Sequence, residues 1–175
     1  MTQELIDLRS SILEGRYTDA LAIVDELDGM SQQAILRQIQ SFLNVLLIHL
    51  IKNQVEQRLT GSWANSIRNS IREIKKANIK DNKISYYINS DEWNIFIEEE
   101  VIEDAIAEAA EEVFNGAYSQ FKLAEMMDRN LIIQTAVRLL NLTYIHSAKD
   151  LPAVLAEYLS QLPGGEDWMN RRKLR

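Results

Sequence analysis

The sequence predicts an all-α fold, a single-domain helical bundle of about seven or eight helices around one long central helix. Three observations carry that expectation. The first is the stretch Ser31–Leu59, which between Phe42 and Ile51 is apolar except for Asn44 and His49. On a helix turning about 100° per residue, Ile35, Ile39, Phe42, Leu43, Leu46 and Leu50 form one stripe. Ile48, Ile51 and Val55 fall on the opposite side. A surface helix has one apolar stripe, whereas a helix that is apolar all round is enclosed by others. The second is the scarcity of Gly and Pro, six and two, most of them at the ends of helical patterns. That punctuation argues against a turn-rich sandwich. The third is a hydrophobic content of 46% in 175 residues. This is enough for one packed core and too little for two.

The elements follow in order. Thr2–Glu14 reads as a first helix, with Leu5, Leu8 and Ile12 at helical spacing and Gly15 as its stop. Thr18 caps a short second helix through Leu27, which Gly29 ends. The central helix begins at Ser31 and breaks at Thr60-Gly61. A fourth helix carries Trp63, Ile67, Ile71 and Ile74 on one face and a set of cations on the others. Between Asn78 and Asn89 the pattern decays. KISYYI alternates like a strand, but a lone strand has no partner, so a loop is expected. A long fifth helix runs from Ser90 or Asp91 to about Phe114. It holds ten acidic residues and no basic one between Asp91 and Glu112, and Asn115-Gly116 ends it. Ser119 caps a short sixth helix, Asn130–Tyr144 is a seventh, and Pro152 opens a last one. The domain expected is 1–162, followed by a flexible basic tail, 163–175.

Composition narrows the function classes. The net charge of −7 provides no global attraction to nucleic acid or anionic lipid. No cysteine is present, so disulfides, thiolate nucleophiles and Cys-type zinc sites are excluded. The opening MTQELIDLRS is polar and acidic, unlike a signal peptide. The longest uninterrupted apolar run is about half a bilayer span. A cytoplasmic protein with no membrane association is expected.

One part of the chain resembles a known family. Leu46-Leu47-Ile48-His49-Leu50-Ile51-Lys52, then Gln54, Ser62-Trp63, Ile67 and Arg68, are similar to a bacterial, mainly cyanobacterial, family catalogued as domain of unknown function 29. The upstream phrase LRSSILEGRYTDALAIVDELDGM resembles that family's opening, and the likeness covers roughly Leu5 to Tyr144. Two departures stand out. The family often has Trp where this chain has Asn53, and its acidic and aromatic ending is not evident after Tyr144. The resemblance implies an all-helical fold and no assigned activity.

Three constellations are candidates for function. His49, Lys52, Asn53 and Glu56 share one side of the central helix at i, i+3, i+4 and i+7. With Trp63 of the next helix they form a candidate binding site, since His titrates near neutrality. The plainer reading is a histidine flanking the core and bonded to a neighbour. On the acidic helix Glu100, Asp104 and Glu108 stack at i, i+4 and i+8. The residues three before His49 and His146 are Leu46 and Thr143, so the Glu-x-x-His pair of a di-iron bundle is absent. A solvated face is preferred there, with no metal and no cofactor expected. Arg58, Arg68, Arg72, Lys75, Lys76, Lys80 and Lys83 form the one basic cluster, with Arg68 and Arg72 as candidate phosphate contacts. The acidic helix, next in sequence, is expected to pack alongside and neutralise it, which makes nucleic acid the less favoured partner.

No P-loop, nucleophile elbow or dinucleotide fingerprint occurs. The reading is a protein without catalytic residues, a non-enzymatic interaction or scaffold module with an unknown protein partner. Its alternatives are a nucleic-acid-associated protein using the basic helix and a small-molecule or metal-dependent enzyme centred on His49. The second apolar side of the central helix (Ile48, Ile51, Val55) requires a cover, supplied by the terminal helices or by a second copy in a homodimer.

Overall fold

The computed structural model describes residues 1–171. Among these the fold is all-α, with no strand. Two compact units divide the chain, Met1–Gln38 and Ile39–Arg175.

In the first unit, α1 (Gln3–Leu13) starts at an extended Thr2 and is followed by Gly15, whose φ of +73° ends the helical run. The second helix, α2 (Tyr17–Glu56), is one continuous helix of 40 residues. The expected stop at Gly29 does not exist. Glycine inside a helix costs only about 1 kcal/mol relative to alanine. It terminates a helix when the chain turns left-handed there, and Gly29 does not. The expected helices Thr18–Leu27 and Ser31–Leu59 are therefore a single element. It ends at Gln57, which takes a left-handed φ of +53°.

In the second unit the apolar part of α2 is enclosed: Ile39, Leu43, Leu46, Leu47 and Ile51 have no exposed surface. On the opposite side Ile48 and Ile51 are buried and Val55 is half-buried, so most of that apolar side is covered within this unit. By length and composition alone α2 is apolar enough to cross a bilayer, which a count of its uninterrupted apolar run misses. Here its most apolar turns are core.

Helix α3 (Gly61–Asn78) starts at Thr60, whose Oγ1 accepts from the Trp63 N–H at 3.0 Å. Trp63, Ile67, Ile71 and Ile74 are buried as their spacing predicts, and α3 packs on α7 (Arg129–Ile145) and α8 (Leu151–Ser160). The segment 79–92 is a loop with one antiparallel bridge, Ile79 to Tyr86. Tyr144 pins it. Its hydroxyl donates to the Ile88 carbonyl at 2.7 Å and accepts from Trp93 Nε1 at 2.7 Å and Asn78 Nδ2 at 3.1 Å. Asn78 also exchanges both its amide groups with the Ile88 backbone at 2.8 Å.

The acidic helix comprises α4 (Trp93–Phe96), one π-helical turn (Ile97–Val101) and α5 (Ile102–Glu112). Gln40 of α2 donates to the Glu100 carbonyl of the π turn at 2.8 Å. Phe114, Asn115 and Gly116 all have positive φ and reverse the chain. Helix α6 (Gln120–Met126) is capped by Ser119, and α7 by Asp128, whose carboxylate accepts from the Leu131 N–H at 3.1 Å.

The tail was expected to be loose from residue 163. Instead Gly165–Met169 forms α9, with Trp168 4% exposed. The reason is close packing at Pro163-Gly164-Gly165. The Pro163 carbonyl accepts from the buried Asn53 amide at 2.8 Å, and Gly164 lies against the backbone of Arg58. The last part of the expected tail, residues 172–175, lies outside the described residues.

Candidate functional site

The six residues singled out in the sequence fall into three places. His49 is tied to its own helix. Its Nδ1 lies 2.8 Å from the Val45 carbonyl, so a neutral ring donates there and keeps Nε2 as an acceptor. Burial holds its pKa below the ordinary histidine value, and nearby Lys52 adds to the effect, while the Val45 bond opposes it. A catalytic base needs access to substrate, and the cavity described below is not lined by His49, Lys52 or Glu56.

Lys52, Glu56 and Trp63 meet at the turn between α2 and α3. The Lys52 ammonium lies 4.8 Å and the Arg58 guanidinium 4.6 Å from the Trp63 ring centre. Arg58 donates to Glu56 Oε1 at 3.1 and 3.2 Å, and Lys52 Nζ is 3.4 Å from Glu112 Oε2. Each cation thus has both a ring and a carboxylate. Cation–π contacts of this kind contribute about 0.5–1 kcal/mol when exposed. The cluster ties the end of α2 to the start of α3 and to Glu112. Asn53, where the family often has Trp, is part of it through the Arg58 and Pro163 carbonyls.

Arg68 and Arg72 lie elsewhere, on a cavity of about 540 Å³ between α3, the loop and α8. Five cations line it, Arg68, Arg72, Lys75, Lys76 and Lys83, together with no Asp or Glu. Ile79, Tyr86, Leu151, Pro152 and Leu155 supply an apolar wall. The Tyr144 hub places Tyr86 there, since the two rings meet edge-on with centres 4.6 Å apart. The expected pairing of this helix with the acidic one is not what the chain does. Among the described residues no ion pair joins α3 to Asp91–Glu112. The acidic helix instead serves Arg129, which reaches Glu98 at 2.9 Å and Glu103 at 2.6 Å, and Lys52. The apolar face of α3 settles the choice: it is buried against α7 and α8, and this leaves the cations on the cavity side. Tyr86 and Asn78 carried no signal in the sequence, because their partners are distant in the chain.

The first unit has a different character. Tyr17, Leu21 and Val24, at i, i+4 and i+7 of α2, are 65%, 64% and 45% exposed. Leu5, Ile6, Ile12 and Leu13 of α1 are exposed too. Among the described residues, no group of three or more His, Asp or Glu is placed to hold a metal ion.

Residues 7–132 match the family model described as domain of unknown function DUF29. No curated protein and no solved structure matches the chain.

Proposed function

We propose, from the premise that the chain belongs to the family of domain of unknown function DUF29, that it is a non-enzymatic protein-interaction module docking through α1 and the first turns of α2. The observation that supports this is the row Tyr17, Leu21 and Val24, exposed along one helix face. Exposed apolar residues are ordinary when scattered, but anchors at i, i+4 and i+7 are how a helix seats in a partner's groove. Within residues 1–38 these anchors are surrounded by seven Asp and Glu against three Arg. Two such acidic faces repel each other, so the fitting partner is another protein with an apolar groove and a basic rim. A homodimer is the less favoured occupant.

Light scattering and affinity capture from the host test this together. The expected result is a monomer mass for the pure protein and one captured partner in stoichiometric amount, lost on Leu21→Glu and on Val24→Glu. A partner retained by both variants sinks the reading, and a dimer mass abolished by Leu21→Glu replaces it with self-association. Catalysis at His49 is the less favoured reading, since its Nδ1 is engaged by the Val45 carbonyl of its own helix at 2.8 Å. Association with nucleic acid through α3 has the basic cavity in its favour and is measured below.

A further inference from the structure

We propose that the cavity beside α3 is a binding site for a small organic phosphate, a single anionic group joined to a flat or aliphatic body. It rests on observations independent of the docking face on the first unit.

Charge comes first. Five of the chain's nineteen Lys and Arg line one cavity that no acid lines. Among the described residues the one carboxylate within ion-pair reach of any of them is Glu73, 3.7 Å from Arg72 and 3.6 Å from Lys76. Arg68, Lys75 and Lys83 have no such partner there. Positive charge gathered without compensation is a standing attraction for an anion.

Donor geometry is next. Lys75 Nζ gives one bond to the Thr143 carbonyl at 2.7 Å, which fixes its position and leaves two ammonium protons. Arg72 is steadied by Asn69 Oδ1 and keeps further N–H groups for a bidentate contact. A held lysine beside an oriented arginine matches the several oxygens of a phosphate better than one carboxylate.

The wall opposite defines the rest of the ligand. Pro152 of α8, Ile79 and the Tyr86 ring, which keep accessible surface while Leu151 and Leu155 behind them are buried, offer nothing to a bare anion. They offer a contact surface to an apolar body held by its phosphate. A cavity of about 540 Å³ has the size of a small-molecule site.

A long polyanion fits less well. Among residues 39–171 the eight Lys and Arg that do not line the cavity stand against nineteen Asp and Glu. A nucleic acid leaving the cavity meets that acidic surface, whereas a ligand confined to the cavity is screened from charges beyond about 8 Å at physiological salt.

Isothermal titration of the full chain at physiological salt decides the matter, with adenosine monophosphate and hexyl phosphate as probes. Inorganic phosphate serves as the bare anion. At least one organic phosphate is expected to bind at least about tenfold more tightly than inorganic phosphate, and Arg72→Gln with Lys76→Gln to weaken it by about tenfold or more. Both positions are exposed, so the double variant keeps its fold, which its melting curve verifies. If neither probe binds, the proposal fails. It fails equally if inorganic phosphate binds as tightly as both probes, or if the folded double variant binds like the parent. A single-stranded oligonucleotide that binds more tightly than either probe, with affinity rising with its length, overturns it in favour of nucleic acid.

Discussion

His49 is half-buried on the most apolar turn of α2, with its Nδ1 on the Val45 carbonyl. Its pKa in the folded chain lies below the ordinary value of 6.5. As pH falls, the unfolded chain therefore takes up this proton first. The contribution of His49 to stability is complete above about pH 6.5 and is lost as pH drops toward its folded value. Denaturant melts from about pH 8 to about pH 5.5, above the range of ordinary carboxylates, check this. Wild type loses stability over the lower part of that range, and His49→Asn shows a flatter profile. A flat wild-type profile means the ring is not shielded. At this scale the sequence was legible where neighbours on a helix are neighbours in the chain. Trp63, Ile67, Ile71 and Ile74 are buried as their period requires. The Tyr144 hub was illegible because its partners Asn78 and Trp93 stand 66 and 51 residues away, and no period links them.

Among the elements, the glycines show what local pattern does and does not convey. Gly29 looks like a stop and lies inside α2, with open space where a Cβ would sit. Pro163-Gly164-Gly165 looks like the start of a loose tail and is tightly packed. A Cβ on Gly165 would lie 2.2 Å from the Leu159 carbonyl oxygen, and one on Gly164, at φ +70°, would lie 2.8 Å from Arg58 Cα. The two sites should respond with opposite sign. Gly165→Ala is expected to cost more than about 1 kcal/mol, since backbone has to move. Gly29→Ala should stabilise α2 by up to about 1 kcal/mol. Urea melts of both variants test the pair, and equal midpoints would contradict the packing described. Sequence shows that a glycine permits an unusual conformation. Whether the chain uses it depends on what lies opposite, which only the fold supplies.

For the whole molecule, the two units differ in how they treat the same helix. Leu43, Leu46, Leu47 and Ile51 are fully enclosed, whereas Tyr17, Leu21, Val24 and Met30 are exposed. Amide exchange follows the energy of local opening, which falls where few apolar contacts resist it. In the free protein the amides of Tyr17–Met30 are expected to exchange faster than those of Leu43–Ile51. Uniform protection along α2 would show that the first unit is stabilised by something other than burial. The all-α class and the central apolar helix were readable at this scale, because period and punctuation set them. The neighbours of each helix were not. The acidic and basic helices are consecutive and opposite in charge, yet burial of the apolar face of α3 on α7 and α8 decides its packing. Exposed ion pairs are typically worth ~0–1 kcal/mol, too little to override that choice.

The π turn at Ile97–Val101 has a bearing on how this chain tolerates changes of length. In a regular α-helix, deleting one residue rotates everything beyond it by about 100° and carries the buried face out to solvent. A π turn holds one residue more than its α-helical equivalent, so the helix has a spare at this point. Loss of a residue among Glu98, Glu99 and Glu100 can be absorbed by reversion to α geometry. Trp93 before the turn, and Ala105 and Ala109 after it, then remain on their present sides. The same loss at Ala107 has no such reserve, and Ala109, Ala110 and Val113 would turn away from the core. The acidic helix thus has one position where its register is negotiable and a long remainder where it is fixed.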